Sequence, residues 1–258
     1  MSATNLSYEL HGAGPDVVFL HSFPLDRSMW KGQLVAAGAA GRRAVLVDLP
    51  GFGASPLPAG AAPSLDAMAH AVLDTLDAVG AARATLVGLS LGGYVALAVA
   101  ALAPERVEAL VLADTRAASD DPATRAGRML NLALVRDRGA GALVDKMLPK
   151  LLAPDAPEAL RAEVRALGAA QSREAVTFAL LAMRDRPDRG DVAAALDVPA
   201  LVLAGSRDEI TPPKEMRALA ASMRRARFEE LEGAGHLSSL ERPAAFNAAL
   251  EGFLRGGR

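Results

Sequence analysis

The chain predicts an α/β fold: a mostly parallel central sheet with helices on both faces and a helical insertion over one end. Three observations carry this. Short apolar runs at 17–20, 43–47, 84–87, 107–113, 200–204 and 226–231 alternate with helical patterns, and that alternation calls for parallel strands joined by crossover helices. Runs such as Val17-Val18-Phe19-Leu20 have no polar alternate, as befits a strand covered on both faces. Between Thr115 and Asp197 the strand-like runs vanish and helical patterns follow one another, separated by glycine and proline. The expected division is an α/β core of 1–114 and 198–258, interrupted by a helical lid at 115–197.

In chain order, residues 5–10 are expected as an edge strand, ending at the turn His11-Gly12-Ala13-Gly14-Pro15. After the strand at 17–20 comes the loop His21-Ser22-Phe23-Pro24, then a helix over 28–37. The segment Asp48-Leu49-Pro50-Gly51-Phe52-Gly53-Ala54-Ser55 holds too much glycine and proline for a regular element. Ser64 caps a helix running to Val79, and Gly80 stops it. In the insertion, Asp121-Pro122 opens a helix to about 138, Gly139 and Gly141 break it, and residues 142–152 resume it. Further helices are expected at 157–167 and 172–185, then at 214–223 and 243–254 in the core.

At 258 residues the chain suits one large domain or two small ones. Its net charge of −2 is dispersed, which suggests neither nucleic acid nor an anionic membrane as partner. There is no cysteine, so disulfides and thiolate metal sites are excluded. The start has no basic region followed by an apolar one, and the apolar stretch at 91–103 is too short to span a bilayer. The expectation is a cytoplasmic enzyme without metal or organic cofactor, its oligomeric state open.

The chemistry centres on Gly88-Leu89-Ser90-Leu91-Gly92, a G-x-S-x-G sequence between a strand and a helix. So sharp a strand-to-helix turn strains the backbone at the serine and requires small neighbours on either side. It lifts the hydroxyl out of the sheet and aims the free N–H groups of the helix start at the same spot. A serine hydroxyl needs a base, and the base needs an orienting acid. Of four histidines, His11 sits in a turn and His70 inside a helix; His21 and His236 remain. His236 stands in Gly233-Ala234-Gly235-His236, a loop directly after the final strand, from which it can reach across the sheet edge. Asp208 lies in the turn after a strand, in Gly205-Ser206-Arg207-Asp208-Glu209-Ile210-Thr211-Pro212-Pro213. Asp114, directly after another strand, is a second candidate acid. Ser90, Asp208 and His236 each follow a strand and run in the order Ser…Asp…His.

With those residues in view, the chain resembles the α/β-hydrolase fold superfamily over nearly its whole length outside the lid. The matching segments are His21-x-Phe23-Pro24, Asp48-Leu49-Pro50-Gly51-Phe52-Gly53-x-Ser55, the serine turn, Gly-x-x-Asp-x-x-Thr-Pro-Pro and Gly-His-Leu-Ser-x-Leu-Glu-x-Pro. The last two most resemble the branch of 3-oxoadipate enol-lactonases, carboxylesterases and cofactor-free haloperoxidases. The resemblance implies backbone N–H groups of Phe23 and Leu91 as the oxyanion hole. It departs at Ser22, where the family usually has glycine. Serine there either carries a steric cost at positive φ or brings a hydroxyl near the oxyanion. The expected activity is cleavage of a small-molecule ester or lactone by Ser90, His236 and Asp208. Perhydrolysis or haloperoxidation and carbon–carbon hydrolysis use the same triad, and a ligand receptor on this scaffold is the rival of another class. Met129, Leu130, Leu134, Met147 and Leu148 are candidate pocket lining from the lid, with Trp30, Tyr94 and Leu237 from the core.

Overall fold

A computed structural model describes residues 6–58 and 60–256. Strands β1 (Tyr8–His11) and β2 (Asp16–Leu20) open the chain. A 3₁₀ helix at Arg27–Gln33 then runs into α1 (Leu34–Ala39). Next come β3 (Arg43–Val47), α2 (Leu65–Ala78), β4 (Ala84–Leu89), α3 (Leu91–Leu102) and β5 (Val107–Ala113). Four helices follow before the next strand: α4 (Pro122–Leu151), α5 (Glu158–Ala169), α6 (Arg173–Arg184) and α7 (Gly190–Ala195). The chain continues with β6 (Ala200–Gly205), α8 (Pro213–Ser222), β7 (Ala226–Leu231), α9 (Ser238–Glu241) and α10 (Pro243–Leu254).

The seven strands form one sheet in the order β1-β3-β2-β4-β5-β6-β7. Only β1 is antiparallel, pairing with β3 from Tyr8 opposite Val47 to His11 opposite Ala44. The early strand therefore starts at Tyr8, and position 5 of the expected strand lies outside the described residues. Alternate residues of each central strand face opposite layers. Val18 and Leu20 join α2, α3 and α8 in one apolar cluster, whereas Val17 and Phe19 join α1 and α10 in another. Burial on both faces explains the unbroken apolar runs.

Local signals in the sequence set the helix ends. Ser64 Oγ accepts the Ala67 N–H at 3.0 Å, and Ser172 Oγ accepts the Ala175 N–H at 3.0 Å. Asp121 caps α4 by accepting the Thr124 N–H at 2.7 Å. Two expectations need correction. The helix expected over 28–37 begins as a 3₁₀ turn, capped by Asp26 accepting the Ser28 N–H at 2.9 Å, and becomes α-helical only at Leu34. In α4 the break falls at Gly139 alone, with φ 83° and ψ 178°, while Gly141 stays helical. A single glycine costs a helix only about 1 kcal/mol, which packing readily outweighs.

Candidate active site

The six parallel strands β2 to β7 run in one direction, and the chemistry-bearing loops follow the ends of β2, β4, β5, β6 and β7 on the same side of the sheet. Ser90 sits between β4 and α3 with φ 53° and ψ −112°. Such a backbone persists only when its surroundings over-determine it. Ser90 N–H donates to Ala113 C=O at 3.0 Å, and Ser90 C=O accepts from Gly93 N–H at 3.0 Å and Thr115 Oγ1 at 2.8 Å. A Cβ on Gly88 would lie 2.4 Å from Gly92 C, a collision across the turn as expected; one on Gly92 would instead lie 2.0 Å from Leu20 O in β2.

The loop after β7 brings His236 back over this turn. His236 Nε2 is 2.9 Å from Ser90 Oγ, and Nδ1 is 2.8 Å from Asp208 Oδ2. Asp208 Oδ1 accepts the N–H groups of Ile210 (2.7 Å) and Thr211 (3.0 Å), and Oδ2 accepts the Thr211 hydroxyl. The carboxylate thus receives Nδ1–H, which leaves Nε2 free to accept the serine proton. Burial opposes ionisation of Asp208, yet the His236 charge and hydrogen bond, with those of Thr211, outweigh it and pull its pKa down to about 2. Burial likewise opposes protonation of His236, but the Asp208 carboxylate prevails and raises its pKa above the usual 6.5.

Asp114, the other candidate acid, does not bond to the imidazole. It has φ 44°. Oδ1 accepts the Gly205 N–H at 2.8 Å, and Oδ2 bonds the Ser238 hydroxyl. Burial, reinforced by the nearby Asp208 charge, pushes its pKa up to about 8. Asp114 therefore ties the ends of β5 and β6 to the start of α9 and holds its proton far more firmly than a free carboxyl does. His21, the other candidate base, is held structurally. Its Nδ1–H donates to Ser22 C=O at 3.0 Å, Nε2 accepts the Leu49 N–H at 2.9 Å, and burial lowers its pKa. His70 is exposed on α2, and His11 is exposed beside Glu9.

Ser22 has no positive φ, so no steric cost arises, and its hydroxyl donates to Phe23 C=O at 3.3 Å rather than into the site. The Phe23 N–H and the Leu91 N–H, the first of α3, have no acceptor among the described residues. The Phe23 ring packs edge-on against Phe52 with centroids 6.2 Å apart.

The expected pocket residues scatter. Trp30 is fully buried between Phe19 and Phe246, in the layer shared by α1 and α10, and its indole nitrogen has no partner among the described residues. It is core, not wall. Tyr94 lies beneath the Arg186 guanidinium, 4.2 Å from its ring centroid, so that face of the ring is occupied. Leu130 is 67% and Met129 49% exposed, on the solvent side of α4; neither lines an interior. Leu134 is half-buried against the α2–α3 layer, and Leu148 and Leu237 are buried in the opposite one. Met147 touches both layers. The sheet separates those layers, so Met147 sits beyond the strand ends.

Two residues escaped the sequence reading as participants. Thr211 braces Asp208. Glu241, buried at the end of α9, accepts the Gly235 N–H at 2.9 Å and the Ala153 N–H at 2.7 Å, and burial raises its pKa. Both stand inside the acid-loop and histidine-loop motifs, but only the tertiary fold gives them partners.

A serine on a strand-turn-helix, a histidine from the loop after the last strand and N–H groups beside the helix start with no acceptor among the described residues fit an α/β hydrolase, and the comparisons agree. A model described as the alpha/beta hydrolase family matches residues 17–249, and the chain belongs to that family. It is 35% identical to a pimeloyl-[acyl-carrier protein] methyl ester esterase of Chromobacterium violaceum, over 95% of this chain and 96% of that one. Among solved structures, a thermophilic esterase from Thermogutta terrifontis matches with a TM-score of 0.92 and 36% identity, covering 97% of this chain and 93% of that one. An enol-lactonase from Burkholderia xenovorans matches with a TM-score of 0.88 and 31% identity, covering 96% of each. No helix among the described residues is long and apolar enough to cross a membrane.

Proposed function

We propose that this chain is a serine hydrolase that cleaves a carboxylic ester or lactone through an acyl-enzyme. The observation that carries the reading is the continuous hydrogen-bonded line from Ser90 Oγ through His236 to Asp208, at 2.9 and 2.8 Å. Ser90 Oγ attacks the acyl carbon as His236 Nε2 takes its proton. Asp208 holds the tautomer and stabilises the imidazolium. The N–H groups of Phe23 and Leu91 receive the developing oxyanion, each contributing roughly 3–4 kcal/mol as such donors do. The imidazolium then protonates the departing alkoxide, and the acyl group stays on Ser90. Water, deprotonated by His236, attacks the acyl carbon, the bond to Ser90 Oγ breaks as the imidazolium returns its proton to that oxygen, and the acid is released. An esterase and an enol-lactonase among the relatives support this substrate class.

The helices at 115–197 are proposed to act as the lid. Gln171, after α5, supports this: its Oε1 accepts the Gly53 N–H at 3.0 Å and its Nε2 donates to Asp26 Oδ2 at 3.2 Å. The insertion is thereby pinned to the loops bordering the site, and Ser90 is only 8% exposed beneath it.

The test is a panel of p-nitrophenyl esters of graded acyl length beside aliphatic lactones, run on wild type and Ser90→Ala. Turnover lost in the folded variant, with a phosphonate adduct on Ser90 of the wild type by mass spectrometry, is expected. Full activity in the variant sinks the reading, and no turnover of any ester or lactone by wild type favours a receptor.

A further inference from the structure

A glutamate closing a helix as short as α9 is ordinarily a solvated surface charge. Glu241 is 8% exposed instead, and both of its oxygens are occupied. Oε1 accepts the N–H of Gly235, immediately before His236, at 2.9 Å; Oε2 accepts the N–H of Ala153, just past the end of α4, at 2.7 Å. On the other side of the histidine, Leu237 N–H donates to Leu151 C=O at 3.0 Å. Both neighbours of His236 are therefore bound, directly or through one carboxylate, to the same corner of the helical insertion. The packing leaves no slack, since a Cβ on Gly235 would stand 2.6 Å from Ala153 N and 2.9 Å from Glu241 Oε1. Only a carboxylate accepts at both ends; an amide would oppose one N–H with another. From the insertion side, Arg161 on α5 holds the corner by donating to Ala153 C=O at 2.9 Å and Pro154 C=O at 2.9 Å.

We propose that Glu241 is a positioning residue that couples the seating of the lid corner at 151–154 to the register of His236 against Ser90. This role rests on Ser90, His236 and Asp208 acting as the triad. With the corner seated, the carboxylate fixes Gly235 and the imidazole meets the serine. With the corner lifted, Glu241 loses one donor, Leu237 loses its acceptor, and the general base is no longer held. Turnover is then conditional on lid closure through a contact that touches no substrate.

The experiment combines steady-state kinetics on an ester with residue-resolved amide hydrogen exchange. In wild type the amides of Ala153, Gly235 and Leu237 are expected to share one protection factor, because they open together; factors differing more than tenfold overturn the coupling. Glu241→Gln should lower kcat at least tenfold with KM within threefold, and speed exchange at all three amides at least tenfold. Arg161→Met, which leaves the histidine loop untouched, should lower kcat at least threefold and speed the same three amides. Should Glu241→Gln fail to fold, the Arg161 variant decides alone. Wild-type kcat in Glu241→Gln overturns the proposal. So does an Arg161→Met that frees Ala153 yet leaves Gly235, Leu237 and kcat unchanged. The exchange measurements need no turnover, so they stand or fall separately from the hydrolase reading, which Ser90→Ala tests.

Discussion

Two buried aspartates follow neighbouring strands near the same histidine loop, and their surroundings move their pKa values in opposite directions. Asp208 receives an imidazole N–H, two backbone N–H groups and a hydroxyl, and its pKa falls to about 2. Asp114 has one backbone N–H, one serine hydroxyl and a neighbouring negative charge, and its pKa rises to about 8. Asp208→Asn should cost on the order of 10⁴ in kcat, through the wrong imidazole tautomer. Asp114→Asn, which can keep both bonds, should stay within roughly tenfold, about 1.4 kcal/mol; parallel kinetics rank the two. The raised pKa of Asp114 also has a sign in stability. The folded chain holds that proton more tightly than the unfolded one, so the contribution is full below 3.8 and lost as pH rises through about 8. The melting-temperature advantage of Asp114→Asn over wild type should therefore grow between pH 4 and pH 8, and a constant difference would contradict it. His236 must be neutral to act as base and its pKa is raised. The acid limb of kcat/KM should consequently have its midpoint above 6.5, and a midpoint below 6.5 would mean that burial, not the Asp208 carboxylate, governs the imidazole. Ser90, Asp208 and His236 were legible because the chemistry demands those types just past strand ends in that order. The protonation of Asp114 was not, since the burial that decides it comes from packing. Trp30 misled for a related reason: an aromatic residue near a loop does not declare which layer it enters.

At the scale of elements, the serine turn is the most constrained piece of backbone. Gly92→Ala puts a methyl 2.0 Å from Leu20 O, and neither backbone can yield. It should destabilise by about 3 kcal/mol, the upper end of what overpacking costs, read as a denaturation midpoint shift with unchanged slope. In the proposed lid, Met147 spans both apolar layers and Leu134 packs inward, whereas Leu130 faces solvent. Met147→Ala and Leu134→Ala should shift relative kcat/KM among acyl lengths by roughly 1–3 kcal/mol per lost contact. Leu130→Ala should shift nothing, and a common factor for every substrate in the first two would remove them from the pocket. Periodicity revealed that helices fill this stretch, but it did not reveal their faces, which is why Leu130 and Leu134 looked alike in sequence. Gly139 and Gly141 looked alike too, and only the turn that α4 must make tells them apart.

For the molecule as a whole, alternation of strands and helices announced a parallel sheet, and apolar runs announced that both its faces are covered. Strand order was less accessible. Nothing local in the sequence tells that β2 lies between β3 and β4, or that β1 runs antiparallel beside β3. Those facts emerge from crossovers spanning many residues. The same long spans have a temporal meaning. Ser90 and His236 stand 146 residues apart in the chain, and a ribosome adding about 5–20 residues per second needs roughly 7–30 s to travel between them. Throughout that interval the growing polypeptide carries the proposed nucleophile without the proposed base, and Asp208 emerges with no imidazole to orient. Nascent chains stalled before His236 should be inert toward esters, and chains carrying all 258 residues on a C-terminal linker long enough to clear the ribosomal exit tunnel should react. On the proposed triad, the polypeptide is born silent and gains its activity only once His236 has been made and folded back onto Ser90.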